Sequence, residues 1–454
     1  MMNNRYHVIK DPVHDTMQFT SVEDSWVKPF IDSPPFQRLR HIKQLGMGDF
    51  IFPGAVHTRF NHCLGASYVA GQIAQKIGLA DEERQLVMIA CLLHDIGHGP
   101  FSHAFEGIFF DKSIRHEDWT PYFLADFGNS QFFHEYNRVN PRYHLTEDKF
   151  RHIADMIMHK PVAKSVLADI VSSQLDADRL DYLRRDSHFC GVTYGEFDFR
   201  WMLHCMTIVS SYEGERLGIT HKGIGVVEHY LMARRLMMRN IYHSQKKLAL
   251  EYFLVQWLIQ LASSLATHPP YAQLKQNPLA QFLMAADEFN QKAKAEGLAK
   301  HKKAFLKAHY ENYKELCDYD VFALIKRLAT MCDDHPATQI AARLHYRKMP
   351  KIIRLDHVDH RIAEAALKTF KDRYQADFQD WQLAIIKTPH QSYSGEEDPI
   401  LVKNERDIVK PIGEISFMLN AISDKLEHVS FLCIDKLIVD DKRVKALIDE
   451  LQKL

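Results

Sequence analysis

One buried helix in this chain ends in imidazole and carboxylate. Residues 81–96, DEERQLVMIACLLHDI, run apolar from Leu86 to Leu93, and the chain continues GHGPFSH, so that His94, Asp95, His98 and His103 follow directly. An apolar run of this kind commits a helix to the core, and Gly97, Gly99 and Pro100 stop it. Ionisable groups at a buried helix end are costly unless they are paired or bind a metal. A lone buried histidine is most often a hydrogen-bonded core residue, and a lone aspartate after an apolar stripe is often a cap. The His-Asp doublet, followed by two more histidines in a Gly-Pro-broken segment, points instead to metal binding or catalysis. Adjacent helical residues point about 100° apart, so both can reach one ion only beside the helix end, and further ligands have to come from elsewhere.

The rest of the chain bounds where they come from. It reads as helical to about residue 260 and mixed beyond. SPPFQRLRHIKQL (33–45) opens with Ser33 as an N-cap and two prolines, predicting a helix. Helices are also predicted over 62–78, over 81–96 capped by Asp81, over 164–187 and over 227–265, with a hairpin at 206–223 around the Glu213–Gly214 turn. THPPYAQLKQNP (267–278) is the expected boundary between a core of residues 1–266 and a C-terminal α+β lobe of residues 267–454. In that lobe strands are expected at 381–388, 414–420 and 429–439, and a mobile loop at 390–399. The fold class expected is mainly α, with a small β-hairpin and an α+β lobe.

Lys+Arg (57) and Asp+Glu (58) nearly cancel, so net charge calls for neither a nucleic-acid nor a membrane partner. No apolar run approaches the roughly 18–20 residues of a membrane span, and MMNNRYHVIK lacks a signal core. Seven scattered cysteines make no disulfide framework, which predicts a reducing cytoplasm. The basic run 292–307 reads as a solvated helix face rather than a nucleic-acid site.

Two further stretches offer ligands. HTRFNHCLG (57–65) places Arg59 and His62 at a helix start, and SSQLDADRLDYLRRDSHF (172–189) places Asp178, Tyr182, Arg185 and Asp186 on roughly one helix side. Alone, the second would be a salt-bridge ladder, but its carboxylates are flanked by Leu175, Leu180 and Leu183. H…HD…D, read as His62, His94–Asp95 and Asp178, resembles the metal signature of the HD-domain phosphohydrolases. SPPFQRLRHIKQLGMGDFIFPGAVHTRFNHCLG, HDIGHGPFSHAFEG and DADRLDYLRRD resemble, more narrowly, the sterile-alpha-motif and HD-domain deoxynucleoside triphosphate triphosphohydrolase family. The resemblance is dense over about residues 5–260 and thinner after them. With no room for a sterile-alpha-motif domain ahead of His7, the catalytic module alone is expected.

The resemblance implies a transition metal (iron, manganese, zinc or nickel) held by His62, His94, Asp95 and Asp178, with Mg²⁺ accompanying the nucleotide. It implies attack of a metal-activated water on the α-phosphorus, releasing deoxynucleoside and inorganic triphosphate. His116 matches the family's catalytic histidine, which protonates the departing 5′ oxygen, and His98 and His103 match its phosphate-side histidines. Arg59, Arg234 and Tyr242 match substrate contacts, and Arg179 replaces a family lysine. Tyr182 and Asp186 match residues under the deoxyribose and at its 3′ hydroxyl; Gln44 and Leu45 match the other sugar contacts. Without the family, Arg234 would read as a surface cation and Leu45 as core filler. Few of these residues read base edges, so broad base tolerance is expected.

The resemblance also implies a guanine-nucleotide activator, GTP or dGTP, at a subunit interface, held by Asp32, Gln37, Arg40, Arg347 and Lys351. The neighbouring second activator site matches poorly, with Lys10, Trp201, Thr220, Ser244 and Gln245 in place of family residues, and Met238 replaces an active-site histidine. A constitutive or singly activated homo-oligomer, dimer or tetramer, is therefore expected. Two rival readings remain: another HD enzyme, a phosphodiesterase or nucleoside monophosphatase, and a non-catalytic nucleotide- or RNA-binding sensor.

Overall fold

Helices stack around one continuous apolar cluster that runs from Met17 to Cys433, in a computed structural model that describes residues 6–453 except 213, 356, 392, 394, 396–397 and 424. The chain is mainly helical, as its apolar periodicity predicts. Among the described residues no helix is long and apolar enough to cross a membrane. Glu213 of the expected turn, and four positions of the expected 390–399 loop, lie outside the described residues.

Three helices carry the candidate ligands, and local capping sets where each begins. Arg59–Lys76 starts three residues before the predicted His62, because Asn61 Oδ1 accepts from the Thr58 N–H (3.1 Å) and hydroxyl (3.0 Å). His62 thus falls in the first turn. Asp81–Leu93 is preceded by Ala80, whose N–H donates to Glu83 Oε2 at 3.1 Å; Asp81 is its first residue rather than its cap. That helix stops at Leu93, short of the predicted Ile96, and leaves His94 and Asp95 on the turn that follows. The single helix expected over 164–187 is two, Ser165–Val171 and Ala177–Cys190. Asp176 separates them by accepting from Ser173 N (2.9 Å) and Arg179 N (2.7 Å), which brings Asp178 to a helix start.

Two other predicted helices are also broken. Residues 33–45 form a four-residue turn, Pro34–Gln37, and a 3₁₀ turn, Arg38–His41, after which the backbone extends so that Lys43 bridges Thr58. The long helix over 227–265 is Ile224–Met237 and Gln245–Ser264, joined through a π-turn at Met238–Tyr242. Such π-turns recur at functional sites because they rotate side chains out of helical register.

Strands Tyr6–Asp11 and Asp15–Thr20 pair antiparallel. Met206–Ser211 and Gly214–Thr220 form the predicted hairpin, extended by Leu401–Lys403 and Val409–Pro411 into four strands. Lys351–Arg354 and Leu383–Gln391 flank Leu426–Ile434 in a three-stranded antiparallel sheet. The strand expected at 414–420 is instead the helix Phe417–Ile422, because Ser416 Oγ accepts from Leu419 N at 3.1 Å and starts a turn. The basic run 292–307 is split by Gly297 at φ +97°, and its Lys292 and Lys300 pair with Glu288 and Glu296 on exposed helix faces.

Helices Pro278–Glu296, Leu298–Tyr313, Asp318–Ala329 and Pro336–His345 share the first core. A second apolar cluster contains Leu355, Leu383, Leu432 and Leu447. The later helices grip the segment after Asp95. Tyr313 Oη donates to Gly97 O (2.9 Å), Arg38 bonds both His98 O (2.7 Å) and Leu316 O (3.1 Å), and buried Asp318 accepts from Lys43 N (3.0 Å) and Phe101 N (2.7 Å). Phe101 and Ser102 stand at φ +53° and +55°, left-handed conformations that need such over-determination in non-glycine residues.

Two outcomes follow from this packing. A Cβ at Gly65 would overlap Asp181 and Arg185 across the crossing of their helices. Gly65→Ala should therefore cost about 2–3 kcal/mol, read as a lowered denaturant midpoint; an unchanged midpoint would contradict the close packing. Burial raises the pKa of Asp318 to about 6, against hydrogen bonds from Lys43 and Phe101 that lower it. A carboxyl raised in the fold contributes stability that is present below its ordinary value near 4 and lost as pH rises through 6. Asp318→Ala should thus cost most near pH 4, about 2–3 kcal/mol, and progressively less toward pH 7 in paired melts.

Candidate functional site

Four side chains from three distant stretches converge. His62 Nε2 lies 2.9 Å from Asp178 Oδ1 and 3.3 Å from His94 Nε2, and His94 Nε2 lies 3.4 Å from Asp178 Oδ1. Asp95 completes the group, at 3.6 Å from His94 Nε2 and 3.9 Å from His62 Nε2. A tetrahedral ion with ligands at 2.0–2.1 Å spaces them roughly 3.3 Å apart, so these residues fit a metal. The back nitrogens fit as well. His62 Nδ1 is 2.8 Å from Asp181 Oδ2 and His94 Nδ1 is 2.8 Å from Cys91 O, the outer partners that aim metal-binding imidazoles. Burial opposes charge on His62, but hydrogen bonds to Asp178 and Asp181 outweigh it and raise its pKa to about 10. Burial likewise opposes charge on Asp178, and hydrogen bonds from His62 and His94 hold it well below the usual carboxylate range.

Asp181, which sequence reasoning did not single out, anchors this arrangement. Fully buried, it lies 2.6 Å from His14 Nε2 and accepts from Arg185 Nε and Nη2, both at 2.9 Å. Arg185 continues to Asp11 Oδ2 at 2.8 Å. Arg185 was expected beside Asp178; it turns instead to Asp181 and Asp11, behind the candidate ligands. The signal in the sequence was the Asp181–Arg185 spacing of four between leucines. His14 and Asp11, on the N-terminal hairpin, carried none.

The histidines form a second group. His98 stacks on His116 with centroids 3.6 Å apart and planes at 14°, and His103 meets His116 edge-on at 5.2 Å. Glu106 holds them: its Oε1 lies 2.8 Å from His116 Nδ1 and 3.3 Å from His103 Nδ1. Burial opposes its charge, but the hydrogen bonds from His103 and His116 hold it well below the usual carboxylate range. His98, His103, Glu106 and His116 are close enough to suggest a second ion. The face-to-face stack excludes that for the rings as they stand, since nitrogen lone pairs in parallel planes cannot meet at one centre. Burial, then the charges of Arg59 and His116, push the pKa of His98 well below the ordinary histidine value, so it stays neutral. Arg59 ion-pairs with Asp95 and donates from Nε to Ser102 Oγ at 2.9 Å.

A cavity of about 580 Å³ joins these groups. Gln44, Leu45, Arg59, Asp95, His98, His103, His116, Asp178, Tyr182, Asp186 and Tyr242 line it, as does Met238. Arg179 and Arg234 do not; they sit behind Tyr182 against Ser173 O (2.7 Å) and Gln174 Oε1 (2.7 Å). Asp186 accepts from Tyr242 Oη at 2.7 Å and lies 2.6 Å from Nε2 of buried His57. Lys112, Lys247, Glu251 and Thr388 also line the cavity without any motif to announce them.

Of the residues expected to bind an activator, Gln37 and Arg40 share a second cavity of about 700 Å³. Arg40 donates to Gln37 Oε1 (2.7 Å) and covers the Phe60 ring at 3.5 Å. Asp32 lies outside that cavity, paired with Lys28 at 2.5 Å. Arg347 donates to Phe50 O at 2.9 Å, and Lys351 stands exposed on its strand; neither lines that cavity.

Residues 59–186 match the HD domain family. The chain is 37% identical over 240 residues to the uncharacterized protein YwfO of Bacillus subtilis, covering 52% of this chain and 51% of that one. It is 36% identical over 224 residues to the deoxynucleoside triphosphate triphosphohydrolase SAMHD1 of Mus musculus, covering 42% and 33%. The chain thus spans about half the length of the first curated relatives it matches. Among solved structures, a phosphohydrolase from Bacteroides thetaiotaomicron superposes with a TM-score of 0.72 at 25% identity, covering 95% of this chain and all of that one. A hypothetical protein from Aquifex aeolicus shares the fold, at a TM-score of 0.70 and 22% identity over 98% of this chain and all of that one. All four converging residues fall inside the matched segment: residues 59–186 carry an HD domain, and the chain is similar to HD-domain phosphohydrolases and, distantly, to the SAMHD1 triphosphohydrolases.

Proposed function

We propose that this chain hydrolyses deoxynucleoside triphosphates to deoxynucleoside and inorganic triphosphate with the help of one transition metal. What carries the reading is a single cavity that runs from Asp95 and Asp178, past the His98–His103–His116 group, to the Tyr182–Asp186–Tyr242 wall. His62, His94, Asp95 and Asp178 would hold the ion, whose chemistry is to acidify water and polarise a phosphoryl oxygen. The donor set suits iron, manganese, zinc or nickel, and Mg²⁺ would travel with the triphosphate.

The chain's own residues divide the remaining work. Glu106 occupies Nδ1 of His116 and leaves its other nitrogen to deliver a proton to the departing 5′ oxygen. His98, kept neutral, and His103 contact phosphate oxygens. Arg59 supplies positive charge at the cavity wall, and Arg179 and Arg234 add to the field from behind Tyr182. Tyr182 packs under the deoxyribose, where a 2′ hydroxyl would clash, and Asp186 accepts from the 3′ hydroxyl. Gln44 and Leu45 close the other side of the sugar. The pairing of Tyr182 and Asp186 with these cations favours a nucleoside triphosphate over a phosphodiester or monophosphate. The adjacent Gln37 and Arg40 support binding of a guanine nucleotide activator, completed by Asp32, Arg347 and Lys351 from neighbouring subunits of a homo-oligomer.

Chromatography of reactions with each dNTP and NTP should show deoxynucleoside and inorganic triphosphate. Orthophosphate or a nucleoside monophosphate as the first product would reject the reading. Asp181→Asn keeps shape but removes the charge that aims His62. Metal affinity should fall about 10–100-fold, seen as loss of bound metal per chain under dialysis, and full retention would show that Asp181 does not position the ligand.

A further inference from the structure

We infer that Lys112 is a further substrate-binding residue, whose ammonium meets a phosphate oxygen of the nucleotide beside His103 and His116; the inference rests on the triphosphohydrolase reading. The lysine and arginine side chains that line the cavity are Arg59, Lys112 and Lys247. Arg59 is paired with Asp95, and Lys247 with Glu251. Lys112 is exposed, and among the described residues its ammonium has neither an ion pair nor a hydrogen bond. All three of its donors are therefore open to whatever fills the cavity.

Backbone hydrogen bonds fix where Lys112 stands. Glu106 O accepts from Phe109 N (3.2 Å) and Phe109 O from Lys112 N (3.1 Å), so two successive turns lead from Glu106 to Lys112. Glu106 also closes the segment from its far end: Oε1 accepts from His116 N at 3.3 Å and lies 2.8 Å from His116 Nδ1. Residues 106–116 thus form a loop whose ends meet at the carboxylate that holds the histidines, and Lys112 lines the same cavity as they do. The loop is gripped from outside as well. Phe109 is buried against Phe282, Phe289 and Phe305, and Asn290 donates to Ile108 O (2.8 Å) and accepts from Phe110 N (3.2 Å). Asp111 and Lys112 both stand at φ +50°, left-handed conformations that non-glycine residues keep only where their surroundings over-determine them. With the backbone held, ordering the lysine side chain is the main entropic cost of a contact. An unmatched ammonium beside these histidines suits an anion, and phosphate is the part of a nucleotide that carries full charge.

The test uses inorganic tripolyphosphate, with Mg²⁺ in excess, as well as the four dNTPs. Lys112→Met should raise the Kd of tripolyphosphate about tenfold, and Lys112→Arg should restore most of that affinity. The same Lys112→Met variant should raise KM about tenfold for all four dNTPs, by one common factor. A Kd or KM unmoved by Lys112→Met would overturn the inference. So would a KM that rises for one base and not the others, since that would place the ammonium on a base. Should the wild type cleave no dNTP, the triphosphohydrolase reading fails on its own, and the tripolyphosphate titration still decides whether Lys112 meets phosphate.

Discussion

A carboxylate sealed from water holds the site together. Asp181 lies where the helices Arg59–Lys76 and Ala177–Cys190 cross, with no exposure, and an unpaired charge there would be prohibitive. Arg185, His14 and His62 surround it, and each bond fixes something different. Arg185 ties it to Asp11 and so to the N-terminal hairpin. His62 is left with one free nitrogen, pointing at His94 and Asp178. The crossing is close because residue 65 is glycine, so the shape of the backbone and the direction of a metal ligand have the same cause. Moving either helix outward would break two charged contacts before it exposed any apolar surface.

The electrostatics of the cavity follow from how its cations are matched. Arg59 is neutralised by Asp95 and Lys247 by Glu251, while Glu106 takes charge from His103 and His116. In each of these three groups of described residues, cation and carboxylate are matched. An incoming polyanion therefore has to redistribute existing pairs rather than fill an empty positive hole. Under the proposed function, a cation that took Asp95 would free Arg59, whose charge would then be available to a phosphate. That coupling explains why an arginine sits directly on a candidate metal ligand, an arrangement that would otherwise weaken cation binding.

Sequence reasoning singled out the four residues that the fold brings together because each lies in a run with its own constraint, an apolar helix ending at His94, a helix start at His62 and acids among leucines at Asp178, and the family resemblance joined them. It misplaced element ends where one polar side chain competed with the periodic pattern. Asp176 broke a predicted helix in two by accepting two backbone N–H groups, and Ser416 turned an apolar strand pattern into a helix by capping it. Glu106, His57 and His14 were illegible for a different reason. Their partners lie on other elements, and spacing along the chain carries no information about which buried carboxylate faces which imidazole. Arg179 and Arg234 were legible only through resemblance, and both turn their guanidinium groups to Gln174 and its neighbours rather than into the cavity.

The HD segment does not shape the site unaided. Phe101 and Ser102 are left-handed, a conformation costing about 1–2 kcal/mol at each non-glycine residue, and Ser102 is what holds Arg59 in place. The backbone there is fixed by Asp318, while Gly97 and His98 are fixed by Tyr313 and Arg38, all contributed from outside residues 59–186. The strain at residues 101–102 is therefore sustained by helices far along the chain. A segment cut to the matched residues would keep the four ligand identities but lose what holds Arg59 and His98 against them. The helices that follow residue 278 thus help to shape this site through Tyr313 and Asp318, which hold the backbone at Gly97 and Phe101.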